Sequence, residues 1–118
     1  MVKAAIIGCG KIAQVRHIPE YLEHQAVNLV GFYDLNEKRA EELAEKYGGK
    51  AYGSVEELLA DPQIDAVSVC TANHTHAELT IKALKAGKHV LCEKPMAITL
   101  EECQRMVECA EENHRKLL

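Results

Sequence analysis

The sequence predicts a doubly wound α/β fold, a parallel sheet of about five strands flanked by helices. Three observations carry that expectation. Short apolar runs alternate with helix-like segments from end to end, the rhythm of parallel strands joined by helical crossovers. The runs are near-continuous in Val, Ile, Leu, Ala and Cys, as strands covered on both faces are. Ser54 with Glu57, Thr75 with Glu78, and Thr99 with Glu102 each set a hydroxyl three residues before a Glu. That is the spacing of a capping box, in which the two side chains satisfy orphan backbone donors at a helix start.

The elements follow in order. Lys3-Ala4-Ala5-Ile6-Ile7 is the first strand, and a helix runs from about residue 11 to 24, where Pro19 is expected to kink or restart it. The second strand spans 29–33, and the next helix covers residues 37–47, ended by Gly48-Gly49. A weaker strand lies around 50–52, the fourth spans 66–70, and the fifth spans 89–92, with helices after Ser54 and Thr75 between them. In the last helix Leu100, Cys103, Met106, Val107 and Ala110 recur at three-to-four-residue spacing, while Glu101, Glu108, Glu111 and Glu112 fall on other faces. After Arg115-Lys116-Leu117-Leu118, where alternation would begin a sixth strand, the sequence stops, so the sheet reads as truncated before that strand. The fifth strand is then expected to present an unpaired edge through which copies of the chain associate as a homo-oligomer.

Composition narrows the function. The 118 residues are 47% hydrophobic and 27% charged, an ordinary profile for one globular domain, and a domain of this size buries roughly 65% of its unfolded surface without needing staples. Lys plus Arg number 14 and Asp plus Glu 18, for a net charge of −4, the wrong sign for gripping nucleic acid or an anionic membrane by bulk charge. No apolar run approaches the roughly 20 residues of a membrane span, and the run after Lys3 is too short for a secretory leader. The expected location is cytoplasmic. The five cysteines form no C-x-x-C pair and sit mostly inside apolar segments, as reduced thiols do.

The chemistry gathers where strands end. Gly8-Cys9-Gly10-Lys11-Ile12-Ala13 joins the first strand to the first helix as a G-x-G-x-x-A turn. A glycine at 8 permits the tight turn, Gly10 lets backbone approach a pyrophosphate, and Ala13 lets helix and strand pack closely. The helix amino terminus beyond favours a phosphate. Asp34 closes the second strand about 20 residues on, the place of the acid that binds an adenosine ribose. A carboxylate there accepts from the ribose hydroxyls and repels a 2′-phosphate, favouring NAD over NADP. Arg39 complicates this preference, being either a solvated helix-surface residue or a partner for a 2′-phosphate.

Thr71-Ala72-Asn73-His74-Thr75-His76 follows the fourth strand, at the end where open α/β sheets place ligands. Asn73 and a neutral His76 both donate and accept, which suits ribose or pyrophosphate contacts, whereas His74 reads as a solvent-facing loop residue. His74 and His76 lack further ligands at a sensible spacing, so no metal site is read. Cys92-Glu93-Lys94-Pro95 ends the fifth strand. Beside the glycine turn, Lys94 would serve as proton donor or electrostatic clamp for a substrate; read alone, the segment is a polar loop.

Together, the segment 8–13, Asp34, the 71–76 loop and Ala83-Leu84-Lys85-Ala86-Gly87-Lys88-His89-Val90-Leu91-Cys92-Glu93-Lys94-Pro95 resemble the Gfo/Idh/MocA oxidoreductases over nearly the whole chain. The Glu-Lys-Pro tripeptide after Ala-Gly-Lys-His-Val is the specific part. The resemblance implies a Rossmann domain over residues 1–118, with the carboxyl-terminal substrate domain of such enzymes absent from this sequence. It implies an NAD(P)-dependent dehydrogenase of a sugar, inositol or related polyol as the parent protein. On the same basis 8–13 bind the pyrophosphate and Asp34 the adenosine ribose. Thr71, Asn73, His76 and Glu93 line the nicotinamide-side ribose, and Lys94 supports proton transfer at the substrate. Ala72 departs from the proline that relatives often carry. Half a cleft cannot hold nicotinamide and substrate carbon together, so the chain alone is expected to bind dinucleotide without turnover. The alternative is a stand-alone NAD-binding or interaction module without catalysis.

Overall fold

The computed structural model describes residues 2–93 and 99–118 and, at Asn73, the backbone alone. Five parallel strands form one sheet: β1 (Val2–Ile7), β2 (Val27–Tyr33), β3 (Lys50–Ala51), β4 (Ala66–Val69) and β5 (His89–Cys92), in the order β3-β2-β1-β4-β5. The helices are α1 (Ile18–Glu23), α2 (Glu37–Tyr47), α3 (Val55–Ala60), α4 (His76–Lys85) and α5 (Leu100–Glu112). The expected fold class stands.

Strand alternation divides the apolar side chains between two cores. Ile6 joins Ala13, Ile18, Phe32, Ala40 and Leu43 beneath α1 and α2. Its neighbours Ala5 and Ile7 point the other way, joining Val55, Leu58, Val67, Leu84 and Cys109 beneath α3, α4 and α5. A run apolar at every position is what two buried faces require.

Helix starts follow side-chain chemistry. Thr99 and Glu102 form a complete capping box, each side chain accepting the other's backbone N–H at 3.1 Å. Ser54 Oγ accepts the Glu57 N–H at 3.0 Å. Thr75 departs from the expected box: its backbone is helical (φ −103°, ψ −7°) and its side chain caps nothing. A box needs an extended N-cap residue. A 3-10 turn over Asn73–Thr75 precedes α4 instead, and the Thr75 hydroxyl turns back to Thr71 Oγ1 and the Ala72 carbonyl, both at 2.7 Å.

Pro19 restarts the first helix as expected. It stands in the first turn of α1, where a missing N–H costs nothing. Ahead of it the helix widens to a π-turn over Ala13–His17, closed by the Ile18 N–H on the Ala13 carbonyl. The outer edge of β5 is less bare than the sequence predicted. Val90 and Cys92 donate to the carbonyls of Lys116 and Leu118, and Leu118 donates back to Val90. Residues 116–118 thus lie along β5 in the place of a sixth strand, joined to it by a single parallel bridge, Val90 to Leu117.

Candidate functional site

From β1 the sheet grows one way through β2 and the other through β4. The connections leaving the carboxyl ends of β1 and β4 therefore diverge, and such a switch point leaves a crevice above the strand ends. Gly8, Gly10, Asp34, Arg39, Cys70 and Thr71 line a cavity of about 230 Å³ there.

The two glycines of the turn stand in different surroundings. Gly8 has φ +93°, and a Cβ on it would lie 2.8 Å from both the Cys70 carbonyl carbon and Thr71 Cγ2. No side chain fits. A Cβ on Gly10 would meet nothing within 4 Å, so the fold leaves open space beside its backbone at the cleft. Ala13 is fully buried against Ile6 and Ile18, the close helix-to-strand packing expected of it. Lys11 is exposed, and Ile12 lines a separate cavity with Arg16, His17 and Glu93.

Cys9 contributes through its backbone. Its N–H donates to Asp34 Oδ2 at 2.7 Å, while the buried thiol lies 3.4 Å from the Tyr33 carbonyl. Burial, and then the charge of Asp34, push that thiol up to about 12. Asp34 Oδ1 accepts the Asn36 N–H at 2.8 Å, and Arg39 Nη1 stands 3.8 Å from Oδ2. Asp34 therefore ties the glycine turn to the end of β2 and draws Arg39 to the same spot. Asn36 caps α2 through Oδ1 on the Arg39 N–H at 3.3 Å, which fixes the backbone from which Arg39 extends.

The cavity continues past Tyr33, Leu35, Thr71 and Ala72 into a second space of about 240 Å³ walled by Val55 and Leu79. Leu35 is 91% exposed at the shared rim. This apolar slot was not read from the sequence, because Leu35, Val55 and Leu79 belong to three separate elements that only folding assembles.

His76, expected beside the dinucleotide, sits at the start of α4. It is 1% exposed, and its Nε2 bonds the Thr71 carbonyl at 2.8 Å. Burial at the start of α4 turns it into a strut of the 71–75 loop. Lys94 and the side chain of Asn73 lie outside the described residues. Glu93 is described: its Oε2 lies 2.5 Å from His17 Nε2. His17 was also missed, though its position four residues after Ala13 puts both on one helix face. Among the described residues no group of three or more His, Cys, Asp or Glu is placed to hold a metal ion. None of their helices is long and apolar enough to cross a membrane.

A crevice at the switch point, an open glycine turn and an acid at the end of β2 define a nucleotide-binding α/β domain. Residues 2–118 match the Gfo/Idh/MocA oxidoreductase family, NAD-binding Rossmann fold, and the chain belongs to that family. It is 40% identical over 108 residues to myo-inositol 2-dehydrogenase of Thermotoga maritima, covering 91% of this chain and 32% of that protein. It is 41% identical over 111 residues to glucose-6-phosphate 3-dehydrogenase of Bacillus subtilis, covering 94% and 31%. Among solved structures, a 3-ketoreductase from Actinomadura kijaniata in complex with NADP and TDP-benzene superposes with a TM-score of 0.95. The identity is 31%, covering 99% of this chain and 36% of that one. The chain spans about a third of the length of the curated relatives it matches.

Proposed function

We propose that this chain is the cofactor-binding part of an NAD(P)-dependent dehydrogenase that transfers hydride to or from a sugar, inositol or related polyol. The observation that carries the reading is the meeting of Gly8, Gly10 and Asp34 in one cleft at the sheet's switch point. The open space beside Gly10 fits the group: backbone approaches a pyrophosphate there without a Cβ in the way. The backbone of 8–13 holds the pyrophosphate, and Asp34 holds the adenosine ribose. The adenine lies in the apolar slot of Leu35, Val55 and Leu79. Thr71 and Glu93 serve the nicotinamide-side ribose; the same role for Asn73, and that of Lys94 as proton donor or acceptor for the substrate, rest on the sequence resemblance alone. His76 serves by shaping the 71–75 loop.

When bound, the dinucleotide supplies the hydride carrier. NAD is the preferred form, because Asp34 and a 2′-phosphate repel each other and Arg39 is already drawn to Asp34. The relatives' names support the substrate class: one acts on myo-inositol, another on glucose 6-phosphate. The relatives are about three times as long as this chain, and the substrate pocket is assigned to the part of such proteins that this sequence does not cover. A calorimetric titration with NADH and NADPH tests the cofactor reading. NADH is expected to bind at least tenfold more tightly than NADPH, the worth of about 1.4 kcal/mol, and Asp34→Ala to erase the difference. Equal binding by the unsubstituted chain would contradict the preference, and binding of neither would contradict the cleft's role.

A further inference from the structure

Behind the glycine turn, a line of polar groups crosses an otherwise apolar interior. Tyr21 Oη bonds Ser68 Oγ, which lies 3.2 Å from His17 Nδ1, and His17 Nε2 lies 2.5 Å from Glu93 Oε2. Ser68 is fully buried in β4 and His17 is 7% exposed. Burying two such groups is costly unless every donor and acceptor is matched. Here the matching also fixes a direction. A carboxylate only accepts, so His17 Nε2–H donates to Glu93. With the ring neutral, His17 Nδ1 accepts from the Ser68 hydroxyl, and Ser68 Oγ accepts from Tyr21. Burial raises Tyr21 above its ordinary range, which keeps its proton in place for that role.

The local backbone is built for this contact. The π-turn over Ala13–His17 inserts extra backbone just before His17, and such turns re-aim side chains at functional sites. The line thus runs from α1 through the middle of the sheet to Glu93, at the carboxyl end of β5. Glu93 and His17 meet at a cavity that Arg16, Ile12 and Cys92 also line.

We propose that His17 is a positioning residue that holds the Glu93 carboxylate toward the nicotinamide-side ribose of the bound dinucleotide. This rests on the reading that Glu93 faces that ribose. His17 itself touches no ligand; it acts by restricting Glu93 to one orientation, with Ser68 and Tyr21 fixing the imidazole in turn. A carboxylate accepts several hydrogen bonds at once, so engagement by His17 is compatible with a ribose hydroxyl on the same group.

The test compares NADH with ADP, which shares the adenosine half and lacks the nicotinamide riboside. On the intact chain, His17→Leu is expected to raise the NADH dissociation constant about tenfold, the loss of one charge-assisted hydrogen bond. ADP binding should hold within twofold. His17→Gln, whose amide reaches Glu93, should recover most of the affinity, whereas the shorter His17→Asn should not. A merely structural histidine would weaken both ligands together or neither, and either result overturns the proposal. Should His17→Leu fail to fold by circular dichroism, the Gln and Asn variants decide alone: equal NADH binding by the two overturns it. Glu93→Ala separates the underlying reading. If NADH binding is indifferent to that change, the ribose assignment fails and the proposal with it. If Glu93→Ala weakens NADH and the His17 variants do not, the proposal alone fails.

Discussion

Gly8 and Gly10 stand two residues apart in the same turn and are needed for opposite reasons. Gly8 answers to the fold: its positive φ, the Cys70 backbone and the Thr71 side chain leave no room for a side chain. Gly8→Ala should cost about 1–3 kcal/mol in chemical denaturation. Gly10, beside which a Cβ would meet nothing within 4 Å, answers to the ligand in the proposed reading. Gly10→Ala should leave stability within about 0.5 kcal/mol of the original while weakening NADH binding at least tenfold, because a methyl group then fills the space beside the pyrophosphate. The sequence displayed both glycines and the acid as a pattern with the right spacing. It did not display the line from Tyr21 to Glu93, whose members lie far apart in the chain and carry no spacing rule. Nor did it reveal that Asp34 also binds the Cys9 N–H, because such a bond exists only once β1 and β2 are paired.

Strand and helix starts obey local chemistry where nothing tertiary competes. The box at Thr99 and Glu102 is complete, and Thr99→Ala should cost about 1 kcal/mol of thermal or denaturant stability. Thr75 has the same spacing and a different duty. Thr75→Ala should leave the start of α4 intact by amide exchange, because its hydroxyl caps nothing there, and speed exchange in the 71–75 loop that it ties together. The sequence could not separate the two cases: a 3-10 turn before α4 takes the backbone out of the extended conformation a box requires. Lys88 is a further example. Its buried amine donates to the carbonyls of Asp61 and Ile64 at 2.8 and 2.6 Å, binding the start of β5 to the turn before β4. Read from sequence it was only one residue of the resemblance. Burial lowers its pKa, and its two carbonyl partners replace the water it gives up.

Across the whole molecule, the sheet separates two cores, and acidic hydrogens are buried in both. Desolvation pushes the thiols of Cys9 and Cys70 from 9.0 to about 12, and the Tyr52 hydroxyl from 10.0 to about 12, Asp61 adding to the latter. Each group keeps its proton longer folded than unfolded. The stability this provides is complete below about pH 9 and is lost as pH rises toward about 12. Denaturation midpoints should therefore fall steadily from pH 8.5 to about 11, with a shallower fall in Cys70→Ala; a midpoint flat with pH would contradict the burial of these groups. The alternation of apolar runs made this two-faced architecture legible, since a strand buried on both faces leaves a continuous apolar signature. The covering of β5 by residues 116–118 was not legible, because three residues are too few for periodicity to register.

The central claim is that the dinucleotide binds at the switch-point cleft with its pyrophosphate on the glycine turn. Titrating the isotope-labelled chain with NADH while following backbone amide shifts tests it most directly. The account predicts that the largest changes fall on Gly8, Cys9, Gly10 and Lys11, with further changes at Asp34, Leu35, Thr71 and Ala72, and little along residues 116–118. Changes centred on β5 and residues 116–118 with the glycine turn unmoved, or no changes at saturating NADH, would contradict it.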